Sequence, residues 1–243
     1  MDKSTVLVFD SGIGGLNAYY LLAKNFPFLR FFYLSDSSNC PYGSKSLSEL
    51  ERLSLSALEK SGVKSFGGVV VACNTLSTNV LPFLRRKLGV PVFGVFPPLS
   101  LTGKTLLLCT PKTARSRFLS LAPKNYEVVA LKSLAGEVET CAPNFDRVAL
   151  DELPFGRYDD VILGCTHYIY LERRLKPIYP VARFHDGLPR LMTTFRRFYD
   201  EGVFSMTTFL SVDEITENYF LGDAKERNFK VFAVLRDKMK QMF

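Results

Sequence analysis

Residues 69–75 read VVVACNT, and residues 161–167 read VILGCTH. Each stretch is an apolar run followed by one small residue, a cysteine and two polar residues that can open a helix. Short apolar runs bounded by glycine or polar turns are typical of buried parallel strands. The repetition predicts two similar halves, with Cys73 and Cys165 each at the C-terminal end of a strand.

Other apolar runs extend this pattern along the chain. Strands are predicted at residues 6–9, 30–34, 68–72, 91–95, 105–109, 126–131 and 160–163, with helices at residues 15–25, 47–61 and 75–88. Alternating strands and helices are typical of an α/β fold with parallel sheets. Pro97 and Pro98 cannot continue a strand, so a break is predicted there, and a second one near residues 199–202.

Length and composition indicate a globular protein. The 243 residues suffice for one large domain or two modest ones, and 47% of them are hydrophobic. No apolar run reaches the roughly 18–20 residues of a membrane helix. The run at residues 6–9 is too short for the core of a signal peptide, and Asp10 follows it, so the expected compartment is the cytoplasm.

Net charge and cysteine count exclude several classes of site. The formal charge of the chain is +7, and its basic residues are scattered along the sequence rather than clustered in a stripe, which argues against a nucleic-acid role. The surplus of positive charge suits an anionic dicarboxylate substrate. The five cysteines are odd in number and lack a C-x-x-C pair, so free thiols are expected, without a disulfide framework or a metal site. Cys40, Cys109, Cys141 and His185 are interpreted as structural. The glycines of residues 12–15 do not match a dinucleotide-binding fingerprint.

The two strand-end cysteines suggest acid–base chemistry. Ligands of open α/β sheets bind at the C-terminal ends of strands. A cysteine at the start of the next helix meets unpaired N–H groups, which favour a thiolate and a lowered pKa. The following pairs, Asn74-Thr75 and Thr166-His167, supply donors for a substrate carboxylate. The alternative is that each cysteine is a small buried hydrophobic residue.

Five motifs, in order along the chain, resemble those of bacterial glutamate racemases. They are FDSGIGGL at residues 9–16, Asp36 with PYGSKS at residues 41–46, ACNT at residues 72–75, LGCTH at residues 163–167, and Gly222-Asp223. The resemblance spans nearly the whole chain.

The resemblance implies a two-domain α/β protein with pseudo-symmetric parallel-sheet domains and an active site in the cleft between them. Residues 1–97 with 203–243 would form the domain that carries Cys73, and residues 98–202 the domain that carries Cys165. It implies an isomerase that interconverts L- and D-glutamate for peptidoglycan synthesis, without a cofactor or metal, as a cytoplasmic homodimer. Cys73 and Cys165 would be the catalytic pair, and the substrate would contact Asp10, Ser11, Tyr42, Gly43, Asn74, Thr75, Thr166 and His167.

Simpler roles stay open for several of these residues. Asp10 is also suited to cap the first helix, His167 to bond backbone at a helix start, and Tyr42-Gly43 to form a turn after Pro41. Residues 95–98 and 110–116 depart from the family pattern. Glu139 is the nearest candidate for the glutamate that assists the second cysteine in the family. A racemase of aspartate or another amino acid, and a catalytically weak binding or regulatory relative, are the alternative functions.

Overall fold

The computed structural model describes residues 2–200, 220–221 and 225–240. The strands are β1 (Asp2–Asp10), β2 (Arg30–Ser35), β3 (Phe66–Val71), β4 (Val92–Gly94), β5 (Thr105–Cys109), β6 (Tyr126–Ala130), β7 (Asp160–Leu163), β8 (Arg183–His185) and β9 (Phe220–Leu221). The helices are α1 (Leu16–Asn25), α2 (Leu47–Lys60), α3 (Asn74–Asn79), α4 (Leu81–Leu88), α5 (Pro111–Ala114), α6 (Leu134–Cys141), α7 (Glu172–Leu175), α8 (Leu188–Asp200) and α9 (Lys225–Lys240).

The strands form two parallel sheets, as predicted from the alternation of strands and helices. The first sheet has the order β4-β3-β1-β2-β9, and the second has the order β6-β5-β7-β8. Every strand pair is parallel. The α/β fold built on two parallel sheets is therefore confirmed.

Central strands of both sheets are buried on both faces. In β1, Val6 and Val8 join an apolar cluster that continues into the second sheet, whereas Leu7 and Phe9 face a separate cluster. The second sheet repeats this arrangement, because its β5 residues alternate between two clusters in the same way. Burial on both faces explains why these strands read as continuous apolar runs.

The structure differs from the sequence prediction in two helical regions. The helix predicted at residues 75–88 is two helices, α3 and α4, separated at Val80. Pro82 explains this break, because its ring lacks an N–H group and clashes with the carbonyl four residues earlier. Cys165 is followed by a 3₁₀ helix at Thr166–Leu171, not by the α-helix that the repeat suggested.

The predicted break around Pro97 and Pro98 is confirmed, because residues 95–104 form neither helix nor strand. The domain boundaries themselves stay a prediction. Helix α8 packs its buried Phe195 against Phe26 and Phe93 of the first half. Residues 201–202 and the Gly222-Asp223 motif lie outside the described residues.

No helix among the described residues is both long enough and apolar enough to cross a lipid bilayer.

A buried carboxylate links β7 to β8. Asp160 accepts hydrogen bonds from Arg183 Nε at 2.9 Å, Arg183 Nη2 at 3.0 Å and His185 Nε2 at 2.8 Å. This arrangement supports the structural interpretation of His185. Although burial acts to raise it, the pKa of Asp160 is lowered by these hydrogen bonds and the charges of Arg183 and His185.

We expect Asp160→Asn to destabilise the protein by about 2 kcal/mol, because charged hydrogen bonds to a buried partner are lost. For a chain of this length, this corresponds to a fall of roughly 4–8 °C in Tm, measured by differential scanning calorimetry. The lowered pKa means that the contribution is present at neutral pH and is lost as the pH falls through the folded-state pKa. Asp146→Asn, at an exposed pair with Arg173, is the control and should change Tm little. Equal shifts for the two variants at neutral pH would contradict this expectation.

Candidate active site

The C-terminal ends of β1, β3 and β7 carry the residues that the sequence singles out. Asp10 ends β1, Cys73 follows β3, and Cys165 follows β7. The two halves meet here, because Thr166 Oγ1 donates to Asp10 Oδ2 at 3.0 Å. The charges of Asp10 and Cys165 both act on the Cys73 thiol. The structure therefore places both cysteines of the repeat at the same junction between the halves.

Asp10 is fully buried at the contact between the halves. Its Oδ1 accepts from the Ser11 N–H at 2.6 Å, while Oδ2 accepts from Thr166. Burial raises the pKa of the Asp10 carboxyl above its ordinary value, against the lowering effect of the His167 charge. The N-cap position of α1 belongs to Gly15, so the alternative role of Asp10 as the cap of that helix is wrong.

Cys73 occupies the N-cap position of α3 and is only 5% exposed. The sequence suggested that the helix N-terminus lowers the pKa of this thiol, but the structure gives the opposite direction. Burial, followed by the negative charge of Asp10, raises the pKa of Cys73 and outweighs the hydrogen bond from the Leu76 N–H. The surroundings of Cys73 therefore favour its thiol form.

Cys165 lies beside a histidine–glutamate pair. His167 Nδ1 is 3.8 Å from Cys165 Sγ, and His167 Nε2 is 2.8 Å from Glu139 Oε2. Burial opposes the charged form of His167, but hydrogen bonds to Cys165, Cys40 and Glu139 raise its pKa well above the ordinary value. Burial likewise acts to raise the pKa of Glu139, yet His167, the Ile13 N–H and Arg227 lower it to about 2. The result is an imidazolium–carboxylate pair next to one thiol.

The remaining predicted substrate contacts are buried around the same junction. Asn74 Nδ2 donates to the Val95 carbonyl at 3.2 Å, and Thr75 Oγ1 lies 3.0 Å from Thr110 Oγ1 across the two halves. The Tyr42 hydroxyl donates to Asp36. Gly43 approaches Thr110 so closely that an added Cβ would lie 2.6 Å from the Thr110 Cβ. Each of these residues holds a structural contact that a substrate would have to share or replace.

Glycine permits the closest approach of the two halves. A Cβ on Gly14 would lie 2.5 Å from Thr166 Oγ1 and 2.6 Å from His167 Nδ1. A Cβ on Gly12 would lie 2.3 Å from Glu139 Oε2 and 2.8 Å from Cys40 Sγ. The glycines that failed to match a nucleotide fingerprint thus bring the loop after β1 against Thr166, His167 and Glu139 of the second half.

Sequence reasoning missed several side chains of this cluster. Cys40, interpreted as structural, lies 3.8 Å from Ser11 Oγ and has its sulfur within 4.8 Å of a ring nitrogen of His167, so it belongs to the site instead. Arg227 of α9 binds Glu139 and donates to Ser37 Oγ at 3.0 Å. Thr113 lies 3.3 Å from Thr75 Oγ1. None of these three residues belongs to the repeat. Cys40 could have been identified from its position directly before the Pro41-Tyr42-Gly43 motif.

Comparison with known proteins agrees with this geometry. The chain is 33% identical over 187 residues to a glutamate racemase of Aliivibrio fischeri, covering 70% of this chain and 71% of that protein. It is 32% identical over 199 residues to a glutamate racemase of Clostridium botulinum, covering 74% and 77%. No protein-family model matches the chain.

Solved structures show the same fold. Glutamate racemase from Thermus thermophilus, in complex with beta-chloro-D-alanine, superposes with a TM-score of 0.75 at 26% identity, covering 97% of this chain and 94% of that one. Escherichia coli glutamate racemase, in complex with L-glutamate and the activator UDP-MurNAc-Ala, gives a TM-score of 0.68 at 29% identity, covering 86% of each. With these sequence relatives, this fold and two matched cysteines at the junction of its halves, the chain belongs to the glutamate racemase family.

Proposed function

We propose that the protein interconverts L- and D-glutamate through two thiols that act on opposite faces of the substrate. The observation that carries the proposal is the pair of strand-end cysteines, Cys73 and Cys165, coupled to Asp10 and His167 in one buried cluster. A cysteine with a purely structural role would need no charged side chain beside it, and here each of the two cysteines has one.

The proposed reaction moves one proton on and one proton off the Cα atom. One cysteine, as thiolate, takes the Cα proton, and the electron pair of that bond is delocalised into the substrate carboxylate. The other cysteine, as thiol, delivers its proton to the opposite face of Cα. Either group can be acid or base, which a reaction that runs in both directions requires.

The two thiols lie near side chains of opposite charge. Around Cys73, burial and then the negative charge of Asp10 act against a thiolate. His167, beside Cys165, carries a positive charge that stabilises negative charge on the neighbouring sulfur or on the substrate. Glu139 and Arg227 are positioning residues that hold this imidazolium.

Substrate contacts are proposed for the polar groups around the thiols. The donors are the hydroxyls of Ser11, Thr75 and Thr166, the amide of Asn74, and the Tyr42-Gly43 turn. All are buried in the described structure, with Asn74 and Thr75 each 3% exposed. Glutamate therefore enters only after the halves separate and the Asp10–Thr166 and Thr75–Thr110 contacts part.

The direct test is the circular dichroism of L-glutamate and of D-glutamate incubated separately with chelator-treated protein. We expect both signals to decay to zero, without pyridoxal phosphate or metal. Loss of optical activity from aspartate alone would assign the protein to aspartate instead. No turnover of any amino acid by folded protein would favour a binding or regulatory role and contradict the proposal.

The cellular setting is proposed from the family. D-Glutamate produced in the cytoplasm would supply peptidoglycan synthesis, and the protein would act as a homodimer. Light scattering on the purified full chain tests the dimer, and a monomer at all concentrations would contradict it. A nucleic-acid partner is not part of the proposal, since the basic residues are scattered along the chain.

A further inference from the structure

Three side chains of different metal-binding chemistry converge behind the second catalytic thiol. Among the described residues, Cys40, Glu139 and His167 each present one ligand atom, and these atoms all lie within 4.8 Å of one another. Thiolate, carboxylate and imidazole are the ligand types that Zn²⁺ prefers. Cys40 comes from the first half of the chain and the other two from the second, so folding alone brings them together.

The spacing suits a small divalent cation. On a tetrahedral zinc ion, with bonds of about 2.0–2.3 Å, donors are roughly 3.3–3.6 Å apart. The His167 Nε2–Glu139 Oε2 distance of 2.8 Å would open slightly, and a spacing close to the 4.8 Å limit of the triangle would shorten by about 1 Å.

Two of the three ligands are already oriented by other contacts. Glu139 Oε2 accepts from the Ile13 N–H at 2.9 Å, while its other oxygen is bound by Arg227. Cys40 is 3.8 Å from the Ser11 hydroxyl. Such contacts around ligands fix their orientation and raise affinity for a metal.

The ligand types also set what a bound cation would require. Zn²⁺ binds thiolate and neutral imidazole, so binding here would displace a proton from each ligand that carries one.

We propose that Cys40, Glu139 and His167 form an inhibitory binding site for a thiolate- and imidazole-preferring divalent cation such as Zn²⁺. The ion binds the ring nitrogen of His167 that faces Glu139, so the imidazole can no longer act as the charged partner of Cys165. The site goes beyond the proposed racemisation, which needs no metal.

Binding is tested with Co²⁺, whose bonds to thiolate sulfur give a near-ultraviolet absorption band. We expect the chelator-treated full chain to show this band, and Cys40→Val to bind at least ~10-fold more weakly. Cys141→Ala is the matched control, since Cys141 lies on α6 outside the triangle. Cys73→Ala should keep the band, and this readout does not depend on catalysis.

Inhibition is tested by adding Zn²⁺ to the racemisation assay, with each variant compared with its own metal-free rate. We expect inhibition that a chelator reverses and that Cys40→Val resists by at least ~10-fold in Zn²⁺ concentration. Absence of any Co²⁺ band would overturn the inference. A band lost in Cys73→Ala but unchanged in Cys40→Val would also overturn it, because the ion would then sit on the catalytic thiols.

Discussion

Replacing Cys165 with alanine is expected to lower the racemisation rate from either enantiomer by at least about 10³-fold, and Cys73→Ala to do the same. General acid–base groups contribute about 10²–10⁴-fold, and each variant loses the sole group on one face of Cα. Serine at either position should restore little, because a hydroxyl is far less acidic than a thiol. The measurement is the decay of circular dichroism of L- and D-glutamate.

The matched control for the cysteine variants is Cys141→Ala. Cys141 is a free, half-buried cysteine at the end of α6, and we expect its variant to keep parental activity. Thermal melting verifies that all the variants fold. Near-parental racemisation by a folded Cys165→Ala protein would show that a single thiol suffices and would contradict the two-thiol mechanism.

The second large effect is expected for His167→Gln, which should lower kcat by about 10²–10³-fold. Glutamine can keep a hydrogen bond to Glu139 but places no charge beside Cys165. In the parental protein the raised pKa of His167 keeps the imidazolium charged through neutral pH. Its contribution should therefore persist through neutral pH and disappear only as the pH rises through that raised pKa.

The chain offers its other histidine as the control. His185 binds Asp160 and is expected to affect Tm but not kcat when replaced by glutamine. Equal loss of kcat in His167→Gln and His185→Gln, at a pH where both variants are folded, would contradict the special role of His167.

The fold could be predicted from the sequence largely because its strands are buried on both faces. The runs at β5 and β7 match their predicted bounds, since three or four apolar residues in succession have few other places to go. Strand β8 could not be found in this way, because two of its three residues, Arg183 and His185, are polar and bind Asp160. Its pairing depends on a contact distant in sequence.

The candidate site was predicted where it depends on local pattern and missed where it depends on tertiary contact. Cys73 and Cys165 were identifiable because each follows an apolar run and precedes polar residues. The direction of the pKa shift at Cys73 was not identifiable from the sequence. Burial and the nearby Asp10 carboxylate raise the pKa by more than the helix N-terminus lowers it. Cys40 and Arg227 reach Glu139 and His167 only through folding.

The central claim is that two different groups hold the proton taken from Cα and the proton returned to it. The most direct test is to start the reaction in D₂O from each pure enantiomer. The deuterium content at Cα is then measured in both enantiomers of glutamate during the first turnovers. We predict that the newly formed enantiomer carries deuterium at Cα from the outset, while the remaining starting enantiomer stays protiated. Protium retained in the newly formed enantiomer would show that one group removes and returns the same proton, and would contradict the account.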